Sequence, residues 1–363
     1  MVGTLQGRSS FNYVANVRAV FMKRRTKRVI AVAVGEVLMA GILLLTFAFF
    51  HHVLPRMRAP KAPVSTVNVA VTPTPAPTPE PAVEATPEPT EEPDTRTEWQ
   101  KKFAEHFSDE VVITENSYKS PEVSVTVTEH RIGEGNQATV YFVMDFYVAQ
   151  IENFQTCIAN NTYQDYSKAN ILDMAAEHNA IGAVNGDFYS YQFGGVMVRN
   201  GELYRQENWG YDICVLFMDG TMETYRHNEY DAEVLQQLVD RGIWQIWQFG
   251  PELLGDNGEP DCSFNTSQAV QFPNPRTAVG YFEPGHYCFL TADGRQDGYS
   301  YGLRLDEMAQ IFSDMGCKAA YNLDGGGSAV MSFNGDYVNH QSNGGDREIS
   351  DLLLIAEVEK EEG

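Results

Sequence analysis

One segment constrains this chain more than any other: residues 29–50, VIAVAVGEVLMAGILLLTFAFF, form a nearly unbroken apolar run of 22 residues. As a helix, that length spans the roughly 30 Å hydrocarbon core of a bilayer. The run carries one charge, Glu36, and is preceded by Arg18, Lys23, Arg24, Arg25, Lys27 and Arg28. A dense basic flank marks the cytoplasmic side, so everything after the run is expected outside. A cleaved signal peptide is the alternative, but its apolar core is normally about 7 to 15 residues and ends in small residues at a cut site. Here His51, His52 and Arg56 follow instead. The expectation is a basic cytoplasmic tail over residues 1–28, an uncleaved single-pass transmembrane anchor in the cell membrane over 29–50, and an exported remainder. Glu36 lies in the cytoplasmic third of the run, where a carboxylate snorkels toward the headgroups.

The charge of the chain divides at the same place. The formal net charge is −23, but residues 1–98 hold 11 basic and 8 acidic residues, a net of +3, which leaves 15 basic against 41 acidic on residues 99–363, a net of −26. An acidic surface of that size repels polyanions and excludes nucleic acid as a general partner. Between the two lies a linker, residues 51–98, dominated by TPTPAPTPEPAVEATPEPTEEP. It offers almost nothing to bury, so a disordered, extended stalk is expected, holding the acidic domain away from the membrane.

From residue 99 the pattern becomes that of a folded domain. After a short amphipathic start around Trp99–Phe107, Val123, Val125 and Val127 alternate with polar residues. Val140, Phe142, Met144, Phe146 and Val148 do the same after the turn-forming IGEGNQ. Period-two alternation on both sides of a turn predicts an antiparallel strand pair. Helices are predicted over Asp165–Asn179, Asp231–Arg241 and Arg304–Met315, the last two stopped by Gly242 and Gly316. Apolar strands are predicted at ICVLFM, TAVGYF, HYCFLTA, KAAYNL, AVMSF and DLLLIAEV. Strands outnumber helices, so residues 99–363 are expected to form a single α+β domain with a substantial sheet and a few helices.

Five cysteines, Cys157, Cys214, Cys262, Cys288 and Cys317, fall in the exported part. Their odd number leaves at least one thiol unpaired. None belongs to a CxxC pair and most sit in apolar runs, so they are read as small buried hydrophobes rather than a zinc site, a disulfide framework or nucleophiles.

Chemistry concentrates in four segments. In YNLDGGGSAVM, residues 321–331, an apolar strand presents Asp324 at its end, turns through Gly325, Gly326 and Gly327, and offers Ser328. Three glycines permit positive φ and close approach of a ligand, and successive amides can form an anion nest. A turn in which Asp324 only satisfies backbone donors is equally open. The Lys-Ser/Thr of a nucleotide P-loop is absent. In AVNGDFYSYQFGGVMVRNGELY, residues 183–204, Asn185 and Asp187 stand at a strand end beside Phe188, Tyr189 and Tyr191, a mixture suited to a sugar; Asn-Gly-Asp also makes an ordinary turn. In FPNPRTAVGYF, residues 272–282, Arg276 follows two prolines and suits bidentate capture of phosphate or carboxylate, or a structural ion pair. In VNHQSNGGDREISDLLLI, residues 338–355, Asn339, His340, Ser342, Asp346 and Arg347 crowd a loop before the last strand. The GDNGEPD run, residues 255–261, is rich in oxygens, but its spacing does not fit an EF-hand loop and a solvated hairpin is favoured.

Taken together, these motifs resemble the phosphodiester glycosidase family, the relatives of the lysosomal uncovering enzyme, over roughly Tyr118–Val358. The resemblance is carried by NGDFY (185–189), FGPELLGDNG (249–258), NPRTAVG (274–280), ADGR (292–295), NLDGGGSA (322–329) and VNHQSNGGDREISDLLL (338–354). The chain departs from the family pattern at Ala329 and Asp187, where the family more often has Ser and Gly.

The resemblance implies a hydrolase that cuts the anomeric C–O bond of a sugar 1-phosphodiester in an extracellular or cell-surface glycan. Such a reaction passes through an oxocarbenium-like transition state of the kind carboxylates stabilise, and its phosphate leaving group needs charge stabilisation more than a proton. It implies Asp324 as the carboxylate that activates water or steadies the cation, with Asp187 second. Arg276, Arg347 and the Gly325–Gly327 amides would hold the phosphate, with Ser328 and Ser342 beside it, and Asn185, Asn322 and Asn339 would orient hydroxyls. The scheme requires no cofactor; a structural calcium is compatible with the many carboxylates. Two other classes are a non-catalytic carbohydrate-binding ectodomain and a metal-dependent phosphodiesterase, the latter disfavoured by the lack of His-rich ligand clusters.

Overall fold

Strict alternation over residues 123–148 yields a long hairpin: Val123–Ile132 and Thr139–Val148 pair antiparallel, with Val125 opposite Phe146 and Val127 opposite Met144. The expected strand pair is therefore present, in the register its apolar faces require. The chain is described here from a computed structural model over residues 65–66, 94–255, 258–344 and 347–358. The apolar run, its basic flank, nearly all of the linker, and Asp346 lie outside these residues. No helix among the described residues is long and apolar enough to cross a membrane.

The architecture is mixed α+β, but the strands form three sheets. In the seven-stranded sheet, spatial order runs Ala319–Asn322, Arg276–Glu283, His286–Ala292, Thr139–Val148, Val123–Ile132, Ser117–Lys119 and Val112–Ile113. A six-stranded sheet runs Ser65–Thr66, Glu202–Gln206, Val196–Arg199, Ile243–Trp247, Ile213–Phe217 and Met222–Tyr225. A five-stranded sheet runs Asp336–Tyr337, Met331–Phe333, Gly182–Asn185, Asp351–Ile355 and Phe154–Ile158. Within the linker, Ser65 and Thr66 pair with Leu203 and Glu202, so two residues expected to be solvated close an otherwise open edge.

The sheets share one core. Val125, Met144, Phe146 and Phe289 of the first sheet pack with Cys214, Leu216 and Trp247 of the second and Val184, Met331 and Leu353 of the third. The indole of Trp247 also donates to Thr156 Oγ1 at 3.1 Å. The far face of the seven-stranded sheet is covered as well: Tyr141, Val143, Leu290 and Ala278 pack on Leu305, Met308 and Phe312 of the helix Leu305–Met315. This covering helix is why the strand Thr139–Val148, expected to be half-buried, is buried along nearly its whole length.

Two of the three predicted helices form almost as expected, Ala232–Arg241 behind an Asp231 cap and Leu305–Met315 ending at Gly316 with φ 86°. The first is shorter than predicted, Ile171–Glu177. Asn170 Oδ1 accepts from the Leu172 and Asp173 amides, and a cap there forces the preceding residues out of helical geometry. Four cysteines are buried and Cys262 is exposed; all five are free thiols, with Cys288 and Cys317 Sγ 3.9 Å apart. Of the run Gly255–Asp261, Asp256 and Asn257 lie outside the described residues. Gly255 N donates to Glu259 O, and Asp261 is paired with Arg226 at 2.8 Å.

Candidate active site

Two strands of the five-stranded sheet and one of the seven-stranded sheet converge where three sequence motifs meet. Asn185, the last residue of its strand, is the node. Its Oδ1 accepts from Thr277 Oγ1 at 2.6 Å and from the Val330 amide at 3.1 Å, while its Nδ2 donates to Asp324 O at 2.7 Å. One amide side chain thus fastens the turn bearing Asp324 to two neighbouring strands. The cleft above it is lined by Asn185, Asp324, Ser328 and Arg347 from the expected residues, joined by Lys168 and Asp351.

Asp324 accepts a hydrogen bond from the Gly325 amide at 2.8 Å. Burial pushes its carboxyl above the ordinary carboxylate range, partly offset by the Ser328 hydroxyl, the Gly325 amide and the Arg347 charge. Arg347 itself is exposed and lies over Gly327, where an added Cβ would strike the Asn343 amide and the guanidinium. Gly326, at φ 62°, faces Arg295 in the same way, with a Cβ 3.1 Å from Nη2. Two guanidinium groups therefore flank the glycine turn, and the second, from the ADGR motif, was not among the expected site residues.

The amide nest expected of Gly325–Gly327 does not form. Gly325 N is taken by Asp324 and Gly326 N donates to Pro275 O at 2.9 Å, because the turn closes on its own carboxylate and on the neighbouring strand. Of the three amides only that of Gly327 has no partner among the described residues. The cations beside this turn are the Arg295 and Arg347 side chains.

Asp187 is 1% exposed and lies beneath the cleft rather than in it. Its Oδ1 meets Arg199 Nη2 at 2.7 Å and its Oδ2 accepts from the Gln248 amide at 2.7 Å, so the carboxylate expected as a second catalytic acid is committed to structure. The same Arg199 Nη2 lies 3.0 Å from Asp351 Oδ2. Two carboxyls thus share one buried guanidinium. Burial, and then the neighbouring Asp187 charge, push the Asp351 carboxyl from its ordinary 3.8 up to about 8. Near neutral pH this leaves Arg199 balanced by Asp187 with Asp351 protonated, which is how a buried triad avoids an unpaired charge. Gly186 is required beside it, since a Cβ there would run into the Asp351 carboxyl.

Arg276 is also placed differently from expectation. Its Nε donates to Leu303 O at 3.0 Å, and its Nη2 donates to Phe272 O at 2.7 Å and to Val270 O. The guanidinium braces the segment before its strand and does not line the cleft. Burial and the nearby Arg295 charge lower its pKa to about 10. Asn322 Nδ2 donates to Gly250 O at 2.7 Å, and Asn339 ties Asp293 to the Ala329 and Met331 backbone. Both hold loops together away from the cleft. Ser342 Oγ is buried and, like Asn322 Oδ1, has no hydrogen-bond partner among the described residues. Among the described residues no group of three or more His, Cys, Asp or Glu side chains is gathered to hold a metal.

Comparison with known proteins bears on the same region. The SPbeta prophage-derived protein YomE of Bacillus subtilis (strain 168) is 30% identical over 196 residues, 52% of this chain and 30% of that protein. The mouse N-acetylglucosamine-1-phosphodiester alpha-N-acetylglucosaminidase is 29% identical over 194 residues, 48% of this chain and 36% of that protein. The chain thus spans about a third of the length of these curated relatives. The catalytic domain of the zebrafish N-acetylglucosamine-1-phosphodiester alpha-N-acetylglucosaminidase, auto-inhibited by its pro-peptide, superposes with a TM-score of 0.52 over 69% of this chain and 88% of that one, a likeness of fold at 20% identity. Residues 178–356, which hold Asn185, Asp187, Arg276, Asp324, Arg347 and Asp351, match the phosphodiester glycosidase family.

Proposed function

We propose that this protein hydrolyses sugar 1-phosphodiesters at the anomeric C–O bond. The observation that carries the reading is the cleft itself, where Asp324, with its raised carboxyl pKa, stands among Ser328, Arg347, Lys168 and Asp351. Arg347 and Lys168 hold the phosphate and take up the charge that develops on the leaving oxygen. Asp324 accepts a proton from the attacking water as its oxygen bonds to the anomeric carbon. The electrons of the breaking C–O bond pass to the phosphate oxygen. The products are a free sugar and a phosphomonoester.

The basic flank and apolar run, together with the linker, support a setting in which this domain works outside the cell membrane on phosphodiester-linked glycans. The reaction needs no metal, and a structural calcium would act on stability rather than turnover. The test is product analysis on a panel of sugar 1-phosphodiesters with and without chelator, alongside Asp324→Asn. Release of reducing sugar that survives chelation and falls by about 10³-fold or more in the variant supports the reading. Binding without release would make the domain a carbohydrate-binding module. Chelator-sensitive cleavage on the phosphorus side would make it a phosphodiesterase.

A further inference from the structure

Two of the buried cysteines meet. Cys288 lies on the strand His286–Ala292 and Cys317 just past the helix Leu305–Met315, and their sulfurs approach to 3.9 Å. Both sit in the apolar cluster that holds Leu305, Met308 and Phe312, at 0% and 2% exposure. Cys157 and Cys214 belong to other parts of the core, so the contact singles out this pair.

The surrounding fold prepares the contact. Gly280 is in register with Cys288 on one neighbouring strand and with Ala320 on the other. A Cβ there would lie 2.8 Å from the Cys288 sulfur and 2.7 Å from the Phe312 ring, so the missing side chain is the space that the sulfur fills. Cys317 is pinned by its backbone: its amide donates to Phe312 O at 3.0 Å, and the Lys318 amide donates to Tyr281 O at 2.7 Å. An S–S bond needs the sulfurs about 2 Å closer, which rotation about the two Cα–Cβ bonds supplies with this backbone in place. Burial pushes the Cys288 thiol up, so the folded domain holds little of the attacking thiolate. The bond is therefore made while the domain is still closing.

We propose that Cys288 and Cys317 are an oxidation site, joined by a disulfide as the domain folds in an oxidising compartment. One thiolate attacks a disulfide-bearing oxidant, a thiol oxidoreductase or glutathione disulfide, and expels one of its sulfurs as a thiol. The second cysteine attacks the resulting mixed disulfide and expels the other. The two cysteine protons end on the released thiols, and the oxidant takes up the electron pair. The bond closes residues 289–316 into a loop. That loop carries Asp293, which accepts from Asn339 Nδ2 at 2.9 Å, and Arg295 beside the glycine turn. The proposal rests on the extracytoplasmic setting and not on the hydrolytic reaction.

The test maps the full chain extracted from membranes in detergent, quenched in acid and alkylated in urea before digestion with trypsin. Residues 277–295 and 305–318 are separate tryptic peptides with one cysteine each. The expected product is the two peptides joined, lighter than their sum by the two thiol hydrogens and separated by reduction. Dithiothreitol should lower the wild-type melting temperature by about 5–10 °C, the scale of a closed loop of this length, and leave folded Cys317→Ala unmoved. An equal response in both proteins would overturn the proposal. Should both cysteines be alkylated, the reduced chain is warmed with oxidised glutathione to just below its melting temperature, where buried thiols open transiently. Linkage there upholds the pair and counts against the oxidising setting, whereas two separately alkylated or glutathionylated cysteines overturn it.

Discussion

Replacing Asp351 with Asn should make the protein more stable near neutral pH, although it removes a buried acid beside a buried arginine. Asp351 accepts from Arg199 Nη2 at 3.0 Å and lies within hydrogen-bond reach of the Asp187 carboxylate. An asparagine reproduces the protonated acid in both contacts, with its carbonyl toward Arg199 and its NH₂ toward Asp187. What it removes is the cost of keeping a proton on the acid. The folded carboxyl is raised from 3.8 to about 8. Its contribution to stability is therefore fully present below pH 3.8 and is lost as pH rises through about 8. At roughly 1.4 kcal/mol per pH unit, the wild type gives up about 4 kcal/mol by pH 7, and relaxation around the site reduces this to about 2–4 kcal/mol. Urea unfolding followed by tryptophan emission should show the variant and wild type closest near pH 4, with the variant's advantage widening toward pH 8. A variant less stable than the wild type at pH 8, or an advantage independent of pH, would refute the shared-proton arrangement.

Two further substitutions separate binding from bracing. Arg347 is exposed, so Arg347→Gln should leave the melting temperature unchanged and raise KM for a phosphodiester by about tenfold, read from initial rates. Arg276→Lys cannot serve the carbonyls of Val270, Phe272 and Leu303 together, and should cost about 1–3 kcal/mol of stability with faster proteolysis within residues 268–274; an unchanged melt would show that the brace is dispensable.

Alternation and caps made much of the scaffold legible. The hairpin of Val123–Ile132 with Thr139–Val148, the helices ending at Gly242 and Gly316, and the strands before Asn185 and Asp324 all follow from patterns within about ten residues. The division into three sheets did not, because Ile243–Trp247 and Phe154–Ile158 carry no clear alternation and take their places from partners far along the chain. The site divides in the same way. Asn185, Asp324, Ser328 and Arg347 announced themselves as polar groups at strand ends and in a glycine turn.

Asp351 did not, since it reads as the polar start of DLLLI, and its partner Arg199 is 152 residues away. Arg199 itself looks like the polar end of a strand before the Asn200-Gly201 turn. Asp187 was read as an active-site acid because nothing local reveals that a distant guanidinium and the Gln248 amide already hold it. Arg276 was misplaced for a related reason: a rigid loop before an arginine can present it to a ligand or fold back onto it, and here the carbonyls fold back.

The central claim is that water attacks carbon and not phosphorus, and hydrolysis of a sugar 1-phosphodiester in ¹⁸O-labelled water tests it most directly. Mass analysis of the two products should place the label on the anomeric hydroxyl of the released sugar, with an unlabelled phosphomonoester. Label in the phosphate, with an unlabelled sugar, would contradict the account and move the reaction to the other side of the linkage.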